Sequence, residues 1–300
     1  MPATVKVSAD GDKHLSDITA ILFSQDHVFT SGGDGKIKVW TKDLSLKKEV
    51  SVHEAWIYAM AVDSTGRIYS SSADGTIRSL ADPLQSDKIE ELLKCSDDIE
   101  SLFVDSKDNF YSGDDKGIIT MWVDRKIKFK FNLVEQMRSI AVQNNFIYSI
   151  RDNDLTITEV LEGSSTGRYI TKSSIPGKSP VALCGSYANT INSHVAIVTR
   201  DGLGVVCIKN SNKEHFPVVW TKEKAHDMII NSILGAGEDL LYTAGYDGIV
   251  KQWNGLEKDP KLVSEVNIGA GCLNALCLGA DQSTVYVGGS DGLLRAVQFS

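Results

Sequence analysis

The 300-residue sequence has no long apolar run, few prolines and no paired cysteine motif. No stretch of 18 apolar residues occurs, and residues 1–14 lack the apolar core of a signal peptide, so we expect neither membrane insertion nor secretion. The five cysteines form no CxxC pair, and their odd number fits neither a disulfide framework nor a zinc site. These absences predict a protein of a reducing compartment, cytoplasmic with a nuclear location left open, that has no metal and no cofactor.

Positive charge is also scarce. Lysine and arginine number 31 against 39 aspartates and glutamates, which gives a net charge of −8. Proteins that bind nucleic acids usually carry a basic excess or a basic stripe. The composition therefore disfavours RNA and DNA as partners.

What the sequence does contain is a repeat. Seven units each run from a short β-rich segment through an aspartate turn into a second β-rich segment, as in Ser31 to Trp40 and Thr243 to Trp253. The turn aspartates are spaced 39 to 47 residues apart, a period typical of β-propellers. They are Asp34, Asp74, Asp115, Asp154, Asp201, Asp247 and Asp291.

Each unit reads as four short strands. In the first unit the β-rich runs are only 5–6 residues long, which is strand length. Five of the turns contain Asp-Gly, which favours a tight hairpin because glycine adopts positive φ without a Cβ penalty. We therefore predict an all-β fold with seven four-stranded antiparallel blades in a single domain over residues 1–300. The runs of the first unit are Ile18 to Phe23, His27 to Ser31, Lys36 to Trp40 and Lys47 to Val52.

The units resemble WD repeats over essentially the whole chain. Repeats of that family combine a histidine before the innermost strand, a serine or threonine on the second strand, the turn aspartate and a tryptophan on the third strand. The matching residues are His14, Thr30, Asp34 and Trp40 in unit one, and His226, Thr243, Asp247 and Trp253 in unit six. Unit two keeps His53, Ser70 and Asp74 but has Leu80 for tryptophan; units four, five and seven have Val160, Cys207 and Val297 there.

The resemblance implies a seven-bladed WD-repeat β-propeller whose ring is closed by the N-terminal strand. Only one strand, Leu293 to Phe299, follows the last turn aspartate, so the final blade lacks a fourth strand of its own. Thr4 to Ser8 has the required alternation, and its pairing there would remove an exposed sheet edge. The alternative is a disordered N-terminal tail.

The tetrad residues have two interpretations. Histidine, aspartate and serine together also form a hydrolase constellation. Because the set recurs in several units, whereas an active site needs one copy, we predict a structural role and no catalytic residues.

The resemblance also implies one binding face, formed by the loops before the inner strands and by the turns after the second strands. Side chains at matching offsets in successive units combine aromatic rings with charges of both signs, a composition that binding hot spots favour. The alternative for the tryptophan of this set is packing against the neighbouring loop. The candidate partner-binding residues are Trp56, Tyr58, Asp98, Glu100, Arg138, Arg200 and Tyr246.

The sequence therefore predicts a non-catalytic protein-interaction scaffold or adaptor, monomeric on its own, that binds peptides or loops of other proteins. One alternative is a substrate receptor of a cullin-type ubiquitin ligase, since Arg125 follows Trp122 by three residues, although Val123 replaces the expected aspartate. The other is an enzyme with a site in the central funnel, for which Tyr58, Glu100 and Arg138 are the nearest candidates.

Overall fold

The computed structural model of the chain describes residues 3–95, 97–133, 136–161, 167–185 and 192–299. Within these ranges there are 28 strands and two single-turn 3-10 helices, Asp10–Asp12 and Asn212–Glu214. No helix of the described part is long and apolar enough to cross a membrane. The fold is thus built from strands and turns.

The strands form seven four-stranded antiparallel sheets, numbered here as blades one to seven. Blade one has β2 (Ile18–Ser24), β3 (His27–Gly32), β4 (Lys36–Trp40) and β5 (Leu46–Ser51); blade two has β6 (Ile57–Val62), β7 (Ile68–Ser72), β8 (Thr76–Leu80) and β9 (Ile89–Lys94). Blade three has β10 (Ile99–Val104), β11 (Phe110–Asp114), β12 (Ile118–Val123) and β13 (Lys126–Asn132); blade four has β14 (Met137–Gln143), β15 (Phe146–Arg151), β16 (Asp154–Val160) and β17 (Tyr169–Pro176). Blade five has β18 (Lys178–Cys184), β19 (His194–Val198), β20 (Val205–Lys209) and β21 (Val218–Lys222); blade six has β22 (Ile230–Ala236), β23 (Leu240–Gly245), β24 (Ile249–Asn254) and β25 (Lys261–Asn267). Blade seven has β26 (Leu273–Leu278), β27 (Thr284–Gly289), β28 (Arg295–Gln298) and, from the N-terminal segment, β1 (Thr4–Val7).

The blades are arranged in a ring. The innermost strand of each blade contacts the innermost strands of both neighbours, and β26 of blade seven contacts β2 of blade one. The predicted seven-bladed propeller is confirmed, and the strands expected in the first unit agree with the structure within one residue at each end.

The hydrophobic core lies between the blades. Trp40 of blade one packs with Ala275 and Tyr286 of blade seven, whereas Phe29, on the opposite face of blade one, packs with Met60 of blade two. Each blade therefore buries its two faces against two different neighbours. The outermost strands are largely exposed, as the burial of β25 shows.

The N-terminal strand closes the ring as predicted. β1 pairs antiparallel with β28 over Thr4↔Gln298 to Val7↔Arg295, and Ser8 N donates a hydrogen bond to Leu294 O at 2.9 Å. All four side chains of β1 are exposed. The strand is therefore held mainly by its backbone hydrogen bonds.

Two of the seven aspartates that the sequence predicts at the turns do not occupy the turn-aspartate position in the structure. In blade three, Gly117 N donates to Asp114 O as Gly35 N donates to Gly32 O in blade one, so Lys116, and not Asp115, occupies the turn-aspartate position. In blade four, Asp154 is the first residue of β16 and pairs with Arg151, so the turn contains only residues 152 and 153. The hairpin of blade three is as long as that of blade one, so the error there is the choice between adjacent residues, whereas the hairpin of blade four is one residue shorter.

A change in hairpin length also moves the tryptophan position in blades four and five. Trp40 pairs across the sheet with Val28, two residues before the tetrad threonine. The equivalent pairs are Ile147↔Thr158 in blade four and Val195↔Ile208 in blade five. Thr158 and Ile208 therefore stand where Val160 and Cys207 were expected.

Closure by β1 gives a direct test. We expect deletion of residues 1–9 to lower the melting temperature by several degrees, at about 2–4 °C per kcal/mol for a domain of this order of size, because β28 becomes an unpaired edge. Differential scanning calorimetry measures the change, and deletion of residues 1–2 alone is the control. An unchanged melting curve after the longer deletion would show that β1 does not stabilise the ring.

Candidate functional site

The tetrads of blades one and six have the same geometry. In blade one, Trp40 Nε1 donates to Thr30 Oγ1 at 2.9 Å, Thr30 Oγ1 lies 2.8 Å from His14 Nε2, and His14 Nδ1 lies 3.0 Å from an Asp34 oxygen. The corresponding distances in blade six are 2.9, 2.7 and 2.7 Å, through Trp253, Thr243, His226 and Asp247. Both histidines are buried.

The direction of these hydrogen bonds follows from the tryptophan. An indole N–H can only donate, so the threonine oxygen accepts from it and the threonine proton is directed at histidine Nε2. The imidazole Nδ1–H then donates to aspartate. Every group is satisfied with a neutral histidine, and burial lowers the pKa of His226 below its usual value.

The other blades keep parts of this arrangement. Blade two retains His53 with Ser70 at 2.8 Å and Asp74 at 3.1 Å, and Leu80 takes the place of the indole. In blade seven the turn aspartate, Asp291, accepts instead from Arg295 Nη1 at 3.0 Å. Substitution of the partner thus preserves a satisfied turn carboxylate, which is what a structural role requires.

The candidate binding face lies where the turns between second and third strands meet the loops that precede the inner strands. In an antiparallel blade these connections share one end, and the turns between first and second strands lie at the other. Backbone hydrogen bonds join the two kinds of connection, as from Ala73 N to Trp56 O and from Tyr246 N to Ile229 O. We call this end the upper face and the opposite end the lower face.

Trp56 lies on the upper face between blades two and one. A Cβ placed on Gly33 of blade one would lie 2.7 Å from Trp56 Cε2, so the indole packs directly on the glycine backbone. The side chain is nevertheless 44% exposed. Packing against the neighbouring blade and exposure to a partner, the two roles that the sequence allows for Trp56, thus both describe part of its environment. One side of the ring packs, and the rest faces solvent.

Four of the other candidate residues form hydrogen-bonded links across blades two, three and four. Tyr58 Oη donates to Asp98 Oδ2 at 3.0 Å. Glu100 Oε1 accepts from Gln136 Nε2 at 2.6 Å, and Gln136 Oε1 accepts from Arg138 Nη2 at 3.0 Å. Gln136 was not among the candidates, although it occupies the offset equivalent to that of Trp56.

Blade three makes the upper face acidic at this point. Asp97, Asp98, Glu100 and Asp115, which we call the acidic patch, interact electrostatically with one another. Burial raises the pKa of Glu100, and the neighbouring charges of Asp115 and Asp98 raise it further. Lys116 forms an ion pair with Asp97. The crowding of like charges favours a cationic group at this position.

The remaining two candidates lie elsewhere on the ring. Arg200 of blade five donates to Asp154 Oδ1 of blade four at 2.6 Å, and Tyr246 belongs to blade six.

Near Tyr246 the structure shows two further exposed apolar side chains, Met228 and Ile229, and Leu15 of blade one is 83% exposed. The sequence signal for Leu15 is its position directly after the tetrad histidine.

A second polar network spans blades six, seven and one. Asn231 Nδ2 donates to Asn274 Oδ1 at 3.2 Å, and Asn274 Nδ2 donates to Asp17 Oδ2 at 3.3 Å. On the upper face, the residues at the start of the inner strands are therefore polar in blades six, seven and one as well as in blades three and four. No group of three or more histidine, cysteine, aspartate or glutamate side chains in the described ranges is placed to hold a metal ion.

The structural role of the tetrad is testable in blade six. We expect Asp247→Ala to destabilise the protein by about 1–3 kcal/mol, because His226 Nδ1 is left buried without an acceptor. Chemical denaturation measures the loss, and Asp227→Ala, an exposed aspartate of the preceding loop, is the control. A normally stable variant that had lost a hydrolytic activity would contradict the structural role.

The buried histidines also predict a pH dependence. Burial lowers the pKa of His226 and of His53, so the stability they contribute is present above the usual histidine pKa of about 6.5 and is lost as the pH falls through the lower folded-state value. We expect the melting temperature to fall on acidification from pH 7 to 5, and His226→Asn to make this dependence shallower. An equal slope in the wild-type and His226→Asn proteins would refute the assignment.

Comparison with known proteins agrees with this geometry. The family model "WD domain, G-beta repeat" matches residues 8–41 and 44–79, which cover blade one and the first three strands of blade two up to residue 79. No curated protein sequence matches the chain. The crystal structure of the WD40 beta propeller domain of Doa1 is similar with a TM-score of 0.78 and 14% sequence identity, over 99% of this chain and 98% of that one. Identity this low shows the fold alone, so residues 8–79 contain WD40 repeats and the whole chain folds as a seven-bladed β-propeller similar to that WD40 structure.

Proposed function

We propose that the protein is a non-catalytic interaction scaffold that binds a peptide or loop of a partner protein on its upper face. WD40 propellers are commonly protein-interaction scaffolds, and that is the coarse function the fold supports. The observation that carries the finer proposal is the position of Trp56. A large aromatic ring is backed by Gly33 and remains partly exposed, and it stands two residues before Tyr58, which is hydrogen-bonded to Asp98 of the next blade.

The surroundings of Trp56 favour a particular partner chemistry. Rigid aromatic side chains supply contact area at low entropic cost and dominate many interfaces. The acidic patch of the next blade supplies a negative field, which steers and orients a cationic group. We therefore infer a partner segment that places an apolar side chain on Trp56 and a lysine or arginine against Asp98 and Glu100.

The two alternative functions gain less support from the structure. Arg125, the residue on which adaptor capture by a ubiquitin ligase would depend, forms an ion pair with Glu90 of blade two at 3.0 Å. For an enzyme, Tyr58, Glu100 and Arg138 would need to line a ligand cavity. The cavities of about 850 and 620 Å³ in the described part of the protein are lined by other residues.

The proposal predicts separable effects on binding and folding. We expect Trp56→Ala to weaken partner affinity by about 2 kcal/mol or more while the melting temperature changes little, because the ring is a contact residue and not part of a buried core cluster. Partners are first identified by affinity purification with mass spectrometry. Affinity is then measured by calorimetry on the purified pair.

Three further variants sharpen this test. Gly33→Ala keeps the indole but displaces it, since its Cβ would meet the ring, and should also weaken binding. Asp98→Asn/Glu100→Gln should weaken it through the lost charge and reduce its salt dependence. Leu262→Ala, an equally exposed apolar residue on the outer strand of blade six, is the control. A destabilised Trp56→Ala protein whose folded fraction still binds normally would refute the proposed face.

A further inference from the structure

Blade four departs from the other blades at one buried position. The third-strand residue that faces the preceding blade is a tryptophan in blades one, three and six and an aliphatic residue in blades two, five and seven. In blade four it is a threonine, Thr158. In chain order the seven residues are Trp40, Leu80, Trp122, Thr158, Ile208, Trp253 and Val297.

In the other blades this side chain fills the space between two blades. Trp122 packs with Tyr69 and Ala61 of blade two, and Leu80 packs in the cluster between blades one and two. Thr158 pairs with Ile147, which packs against Tyr111 of blade three, so the threonine faces blade three. It is fully buried, and its hydroxyl has no hydrogen-bond partner among the described residues.

A cavity of about 850 Å³ lies at this same junction between blades three and four. Its volume is within the range of sites that bind ligands and large side chains. The turns that border it connect first to second strands, so it opens on the lower face, away from Trp56. The apolar side chains that line it are Tyr111, Met121, Phe129, Val142, Ile147 and Val160.

The described residues of the cavity rim carry more positive than negative charge, with Lys107 and Lys128 against Asp105. Lys107 and Lys128 are exposed there and form no ion pair with any residue that the structure describes. Among the described residues of the rim one carboxylate, Asp105, offsets part of this charge; it accepts from the backbone N–H of Asn109 at 2.9 Å and from Tyr111 Oη at 3.3 Å, and the two lysines leave a positive excess. The rim therefore complements an anionic group in a chain that is acidic as a whole.

We propose that this lower-face cavity binds an aromatic side chain, in the first place tryptophan, presented by a partner peptide with acidic residues beside it. Thr158 does not itself line the cavity, but its cross-strand partner Ile147 and the neighbouring Val160 do, so the ring would lie at the interface where blades one, three and six have an indole of their own. The flanking carboxylates would pair with Lys107 and Lys128. This site is separate from the upper face and is independent of the function proposed for it.

The first test measures binding of the peptide acetyl-Glu-Glu-Trp-Glu-amide by titration calorimetry. We expect saturable binding by the wild-type protein and none of the analogue with alanine for tryptophan. Lys107→Glu/Lys128→Glu, which changes two exposed side chains, should weaken binding about tenfold or more through charge reversal. Absence of binding by the wild-type protein, or equal binding of the alanine analogue, would overturn the proposal.

The second test fills the cavity from within. Thr158→Trp restores the indole of the other blades, and Ser149 stands where the threonine or serine that accepts its N–H is found in blades one, three and six. We expect a higher melting temperature and loss of peptide binding. Thr158→Val, which removes the unpartnered hydroxyl but leaves the cavity, should bind as the wild type does.

A matched control separates filling from overpacking. Leu80→Trp places an indole at the equivalent position of blade two, where Leu80, Leu84 and Ile89 already fill the interface, and should lower the melting temperature. Retained peptide binding by a folded Thr158→Trp protein would place the peptide elsewhere and refute the site. If Thr158→Trp does not fold, the lysine variant decides: unchanged affinity in that protein is equally contrary to the proposal.

Discussion

Every part of this structure depends on the burial of each blade between two others. A four-stranded sheet has two apolar faces and no means of covering them itself, so an isolated blade would expose both. The ring solves this only if it is closed. Trp40 of blade one packs against blade seven, and blade seven in turn is completed by β1 from the start of the chain. The first and last segments of the sequence are therefore stabilised together, and a change at one interface affects two blades.

Much of this arrangement follows from the sequence because the repeat period, the strand lengths and the Asp-Gly turns are local signals. The errors have two physical causes, residue choice within a turn and strand register. A turn is recognised by residue type, whereas the register of a strand is set by its pairing across the sheet, and a hairpin one residue longer or shorter shifts every side chain to the other face. Hairpin length explains blade four, where the short turn at residues 152 and 153 moves the tryptophan position from Val160 to Thr158. In blade three the hairpin length is unchanged, and the error arises because Lys116 follows two aspartates at the turn.

The candidate site likewise contains features that the sequence predicts and features that it does not. Equivalent offsets in successive blades come together on one face, so the proximity of Tyr58 to Asp98, and of Glu100 to the side chains of blade four, could be predicted. The role of Gly33 could not, since it depends on where the Trp56 ring comes to rest. The hydrogen bonds by which Gln136 links Glu100 to Arg138 could not be predicted either, although its position could, because the reach of a side chain is decided by its rotamer and neighbours. Nor does the spacing show that Arg200 pairs with Asp154 of blade four.

Divergence among the repeats is informative where it is not compensated. Leu80, Ile208 and Val297 replace the tryptophan with other apolar side chains, and Arg295 replaces the histidine as the partner of a turn aspartate, so the interfaces and the buried polar groups remain satisfied. Thr158 has no such compensation: its hydroxyl is buried without a partner among the described residues, and a cavity lies at the same junction between blades three and four. The two proposed surfaces differ in charge as well as in position, acidic around Trp56 and basic around the blade-four cavity. Taken together, the two proposals describe a scaffold that holds a basic segment of one partner on its upper face and an acidic segment of another on its lower face.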